Sequence, residues 1–180
     1  MLQMARMKAE NQFEIRIDNK DNDIILENIY AICFGPGRFA KAAHILRENN
    51  QCLYDISRIV IDNSNGQIIG GCRMWPIGFE NGGKAIFLGP IAILPEYRNH
   101  GLGAKLVDAV LEANDKANGG NVFLVGDFGF FGKFGFKEIP QNILKLPMPA
   151  KANRILWRPS NKEEVLNPNF GGKVFALHRQ

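Results

Sequence analysis

The stretch Leu88–Lys105, LGPIAILPEYRNHGLGAK, decides the reading of this chain. It continues an apolar run, Ile86-Phe87-Leu88 and then Ile91-Ala92-Ile93-Leu94, broken by Gly and Pro. A short run bounded in this way suits a strand covered on both faces. Proline donates no ladder hydrogen bond, so Gly89-Pro90 predicts a bulge or a splay within that strand. Beyond it, Arg98-Asn99-His100-Gly101-Leu102-Gly103 leads into an amphipathic helix with Leu102, Leu106, Val110 and Ala113 on one stripe. A strand, a basic turn punctuated by glycine and a helix start together make an anion site. Free backbone N–H groups and the positive end of the helix dipole face the turn, and Arg98 adds charge. A pyrophosphate is the natural guest.

Working outward, the 180 residues are 46% hydrophobic, enough for a sizeable core, and the chain reads as a single domain over 1–180. The net charge of +4 favours a polyanionic ligand without the clustered basic residues of a nucleic-acid binder. Cys33, Cys52 and Cys72 are odd in number and lack Cys-x-x-Cys spacing. That argues against a disulfide framework or a metal site and for a reducing compartment, with the cytoplasm as the expectation. No apolar run reaches membrane-spanning length. The start, MLQMARMKAENQ, lacks the apolar core of a secretory signal and reads as a flexible leader over residues 1–12.

Phe13 to Ile17 alternates as a half-buried strand, and Asp21-Asn22-Asp23 offers caps for a helix running to Cys33. Gly35-Pro36-Gly37-Arg38 superficially matches a dinucleotide fingerprint, but it follows a helix rather than a strand, so it reads as a helix–helix break. A second helix is expected over Phe39–Glu48. Leu53–Ile61 and Gln67–Phe79 read as strands joined by Asp62-Asn63-Ser64-Asn65-Gly66. Glu80-Asn81-Gly82-Gly83 turns the chain into the Leu88 strand, and Asn121–Val125 follows the helix as a parallel neighbour in a right-handed crossover. Residues 141–180 read as an extension packing on the sheet, with strands near Ile143–Leu146 and Val174–Leu177 and a proline-rich surface path between them.

Arg-x-x-Gly-x-Gly at 98–103, after Ile-Ala-Ile and a Pro-Glu-Tyr turn, resembles the acetyl-CoA signature of the GNAT superfamily of N-acetyltransferases. Gly126-Asp127-Phe128-Gly129-Phe130-Phe131-Gly132-Lys133-Phe134-Gly135-Phe136 is similar to the Gly-Asp-x-x-Tyr-Tyr-x-Arg-Phe-Gly-Phe run of its YhbS-like branch. The resemblance covers roughly residues 13–140. It implies a mixed α/β fold: a twisted, mostly antiparallel sheet with a splayed parallel strand pair, flanked by about four helices. It also implies acetyl-CoA as co-substrate, no metal, and direct transfer of the acetyl group to a primary amine of a small molecule or peptide; a homodimer would be ordinary for the superfamily.

The cofactor contacts implied are Ile91, Ala92, Ile93, Arg98, Asn99, His100, Gly101, Leu102, Gly103, Ala104, Phe131 and Phe134. The Ile93 N–H would polarise the thioester carbonyl as an oxyanion hole does. The second helix and the loop before it would wall the acceptor site, giving Arg38, Lys41, His44 and Arg47 as candidate contacts; a solvated basic face is the competing reading. Pairing across Asn81-Gly82 sets Glu80 opposite Gly83, roughly 26 Å from Ile91 and too far to act as base. The same register brings Cys72 and Arg73 beside the reaction centre. Asp127, at the open end of the neighbouring strand, is then the candidate base, with a water relay as the alternative. Many family members carry a tyrosine acid where this chain has Phe131, which has no exchangeable proton. A thiol of pKa ~8.5 leaves largely as thiolate, so the departure is tolerable. Two other classes stay open: a non-catalytic acyl-CoA-binding module, favoured by the missing hydroxyl, and a nucleic-acid binder suggested by Lys133-Phe134-Gly135-Phe136.

Overall fold

Phe13–Ile17 forms β1 at one edge of the sheet, as its alternation predicts. The chain is seen here in a computed structural model that describes residues 12–148, 150–160 and 166–177. The expected leader, 1–12, falls outside the described residues except for Gln12, whose carbonyl accepts from the Asn63 N–H at 2.9 Å.

Helix α1 (Asp23–Phe34) buries Leu26, Ile29 and Tyr30 and closes with the Gly35 N–H on the Ala31 carbonyl. The expected helix over Phe39–Glu48 is two pieces, a 3-10 turn at Pro36–Ala40 and α2 (Ala42–Arg47). Lys41 between them is extended (φ −103°, ψ 146°), so the hydrogen-bond ladder cannot run through. The expected strand over Leu53–Ile61 also begins late, as β2 (Arg58–Asp62). Ser57 sends both its N–H and its hydroxyl to the Leu53 carbonyl, at 3.1 and 2.8 Å, and this local bonding holds Tyr54–Ile56 in a 3-10 turn.

Strands β3 (Gln67–Phe79) and β4 (Lys84–Ile93) make the long central hairpin. Helix α3 (Leu102–Lys116) follows and buries Leu102, Leu106, Val107, Val110 and Leu111, each worth roughly 1.5–3 kcal/mol of burial. Then come β5 (Val122–Val125), the one-turn α4 (Phe128–Phe131), and β6 (Lys137–Glu138), β7 (Leu144–Lys145), β8 (Ile155–Arg158) and β9 (Gly172–Ala176). The sheet order is β1-β2-β3-β4-β5-β8-β6, with β9 on the far half of β3 and β7 on β9. Every pairing is antiparallel except β4–β5 and β7–β9. This is the mixed α/β fold expected, with four α-helices among the described residues.

Two expectations are corrected. The segment between the last two predicted strands is no plain surface path, because β8 lies inside it and adds Leu156 and Trp157, both buried, to the core beside β5. The β3–β4 hairpin is also off by one near its turn. Gly78 faces Lys84, so Glu80 does not face Gly83; its carboxylate accepts instead from the Lys173 N–H at 2.9 Å. At Gly89-Pro90 one extra β4 residue is inserted opposite Arg73, and beyond it Cys72 faces Ile91 as expected. The bulge cancels the slip at the turn.

Candidate active site

The site begins where β4 and β5 part. Ile86 and Phe87 face Val122 and Phe123, and the pairing stops there. Past that point β5 bonds only to β8, and β4 only to β3. The Leu94 N–H donates to Ile69 on β3 at 2.9 Å, so strand alternation turns the N–H groups of Ile91 and Ile93 toward the open fork. The Ile93 carbonyl faces the same way and accepts from the Cys33 thiol at 3.3 Å. The bulge that opens the fork is braced from β3, where the buried Trp75 indole N–H donates to the Gly89 carbonyl at 2.7 Å. The Gly89-Pro90 peptide is cis.

At the mouth of the fork the chain turns through Pro95–Tyr97 into α3. Asn99 and Gly101 both take left-handed conformations (φ 69° each), and Gly101, which caps the helix, does so without steric cost. Among the described residues, the N–H groups of Gly101, Leu102, Gly103 and Ala104 have no acceptor. A positive dipole end and a row of unbonded donors are thus presented beside the exposed Arg98. The His100 ring is turned back on its own loop, its Nδ1 bonding the Tyr97 and Arg98 carbonyls at 3.1 and 3.0 Å and its edge against Phe13.

Inside the fork lies a cleft of about 640 Å³. Its floor is Phe87–Ile91 and Leu124–Asp127, one wall is Phe130 and Phe131, a second is α1 and α2, and a third is the segment carrying Lys151 and Arg154. The Phe131 ring packs closely on the chain: a Cβ on Gly126 would come within 2.3 Å of it. Asp127 reaches the cleft while capping α4, its carboxylate accepting from the Phe130 N–H at 3.2 Å. Arg38 and His44 line the cleft, together with Lys41 and Arg47. Arg38 stacks on Phe39 and His44 meets the same ring edge-on. Arg47 is ion-paired to Glu27 and lies over the Tyr30 ring.

Ala92, Ile93 and Arg98–Ala104 lie along β4 and at its mouth rather than on the cleft lining, and two further expected residues are elsewhere. Arg73 is 3% exposed and does not line the cleft; it is held by Asp18 at 2.7 Å and Asp23 at 2.8 Å. Burial works against its charge, but the Asp18 hydrogen bond and nearby groups outweigh that and raise its pKa. The register sets Arg73 opposite the β4 bulge, but its side chain turns to Asp18 and Asp23. Phe134 also lies outside the cleft, in a depression against α3 beside Asp108, Leu111 and Arg158. Conversely, Tyr30, Lys151 and Arg154 line the cleft unanticipated. Tyr30 follows Ile29 on the apolar stripe of α1 and carried no signal beyond core; Lys151 and Arg154 belong to the segment whose strand was missed.

This geometry can be set beside known proteins. The profile of the acetyltransferase (GNAT) family matches residues 25–136. The chain belongs to the GNAT acetyltransferase family. Membership places this GNAT protein among the acyltransferases that use acetyl-CoA. Its fold is similar to that of the GNAT N-acetyltransferase YhbS from Escherichia coli, solved with CoA, at a TM-score of 0.73 and 20% identity over 92% of this chain and 90% of that one. It is similar also to a GNAT acetyltransferase from Brucella melitensis, solved with acetyl-CoA (TM-score 0.63, 20% identity, 92% and 96% covered). A third likeness is to Arabidopsis thaliana Naa50 bound to a CoA–peptide bisubstrate analogue (TM-score 0.53, 18% identity, 81% and 95% covered). No curated protein matches the chain significantly.

Proposed function

We propose that this GNAT protein moves the acetyl group of acetyl-CoA to a primary amine, by direct attack with both substrates bound at the fork. The observation that carries the reading is the forked strand pair, with unbonded amides along β4 and at the start of α3. The diphosphate would rest on the Gly101–Ala104 amides, with Arg98, Asn99 and the free Nε2 of His100 at its flank. The pantetheine amides would take up the N–H and C=O groups of Ile91 and Ile93, which otherwise lack a strand partner. Ala92 faces β3 and serves by spacing these two. The thioester carbonyl is assigned to the Ile93 N–H as its oxyanion donor.

Acetyl-CoA supplies an activated acyl group, and the protein supplies placement. Two proton transfers remain. The acceptor ammonium loses one proton, for which Asp127 or a water beside it is assigned. The sulfur departs as thiolate, since Phe131 has nothing to donate. Phe131 and Phe130 would wall the pantetheine arm, and Phe134 would support that wall from behind. The protein is read as one domain, and its three free thiols suit a reducing compartment such as the cytoplasm.

Calorimetry with acetyl-CoA tests this. The unaltered protein should bind, and Arg98→Ala should bind about tenfold or more weakly, the worth of one hydrogen bond to a charged group. No binding, or equal binding by both, contradicts the assignment. A non-catalytic acyl-CoA-binding module is the second reading, favoured by Phe131. It would bind the cofactor yet acetylate nothing in a broad amine panel.

A further inference from the structure

We propose that the acceptor amine carries an anionic group, a carboxylate or a phosphate, close to the amine that is acetylated. This rests on the acetyl-transfer reading of the same cleft and narrows its substrate class.

The charges lining the cleft do not balance. Arg38, Lys41, Lys151 and Arg154 all line it, and among the described residues none of them is in an ion pair. Asp127 is the one carboxylate on the lining, and it is occupied in capping α4. Arg47 is left out of the count because Glu27 neutralises it. A cleft lined by one sign of charge concentrates ligands of the opposite sign and repels polycations.

The hydrogen bonds point the same way. Arg38 is fixed by its own Nη1, which donates to the Gly35 carbonyl at 3.0 Å, while its Nε is buried without any partner. The hydroxyl of Tyr30, also on the lining, is buried and unpartnered as well. Buried polar groups in folded proteins are nearly always paired, so an orphaned guanidinium donor calls for an oxygen acceptor supplied by the ligand. CoA's own diphosphate is accounted for elsewhere: none of Arg98 to Ala104 lines this cleft. The cations come from the α1–α2 connection and the segment before β8, which form the acceptor walls.

The test is acetyl transfer to matched amines, read by mass spectrometry, with calorimetry on acetyl-CoA run alongside. One arm compares amino acids with their carboxamides, a second compares phosphoethanolamine with ethanolamine, and a third uses spermidine. The account expects the anionic member of a pair to be favoured about tenfold or more in kcat/KM, the scale of one hydrogen bond to a charged group. Which arm responds identifies carboxylate or phosphate. In a Lys151→Gln/Arg154→Gln variant that preference should shrink through the acceptor KM, with acetyl-CoA affinity unchanged. Equal or better use of spermidine or the neutral amines overturns the proposal. So does a variant that loses acetyl-CoA affinity and keeps the acceptor KM, because the cations would then serve the cofactor. Bound acetyl-CoA with no amine acetylated also overturns it, whereas failure to bind acetyl-CoA overturns the acetyl-transfer reading beneath it.

Discussion

Cys33 is the thiol beside the fork, donating to the Ile93 carbonyl while partly exposed. Burial raises its pKa, with Arg98 nearby pulling the other way. A raised thiol pKa leaves less thiolate at a given pH, and thiolate is the reactive form. Iodoacetamide should therefore label Cys33 more slowly than a free thiol near neutral pH, and faster as pH rises through the folded value. Cys52, pushed up to about 11 by burial, and the fully buried Cys72 should lag behind it in the folded protein. Saturating CoA should protect Cys33; unchanged labelling would mean that the cofactor does not pass this carbonyl. Phe131 makes a second prediction. Phe131→Tyr should keep acetyl-CoA affinity and hold or raise kcat, since it adds a donor where the family commonly has one. A large fall in kcat with intact binding would instead show that the ring's apolar edge shapes the pocket. Arg73, held by Asp18 and Asp23, makes a third prediction. Arg73→Ala should lower the unfolding free energy by about 3–5 kcal/mol, the cost of stranding a buried partner, as read by urea denaturation.

At the scale of elements, the bulge in β4 shows how far a sequence can be read. Gly89-Pro90 announced an irregularity, because proline has no N–H to pair. It could not announce the brace, since nothing local links Trp75 to Gly89. Trp75→Phe should cost about 1–3 kcal/mol by leaving that buried carbonyl unbonded, and should weaken acetyl-CoA binding as the fork loses its shape. Denaturation and calorimetry on the same variant check both; loss of stability with unchanged affinity would separate the brace from the site. Periodicity read β1, β3, β4, α1 and α3 well, because each is long or strictly patterned. It misread Leu53–Ile56, where Ser57 bonds locally, and β8, whose four residues sit among prolines and are recognisable as a strand only beside β5. Slips of this kind come from tertiary partners that a local window does not contain.

Across the molecule, the free amides proposed as an anion cradle were legible because their parts are contiguous: a strand, a glycine turn and a helix start within twenty residues or so. The cleft proposed to take the acceptor was half legible. Arg38 and His44 lie in one stretch of sequence, but Lys151 and Arg154 arrive from beyond β7 and complete the basic lining only in three dimensions. The account depends on one feature, the fork between β4 and β5 with unbonded amides at its mouth. A crystal structure of the protein grown with CoA tests it most directly. The prediction is a diphosphate on the N–H groups of Gly101–Ala104 and a pantetheine arm lying between the strands, bonded to Ile91 and Ile93. A cradle without phosphate density, or β4 and β5 paired along their whole length, would contradict it.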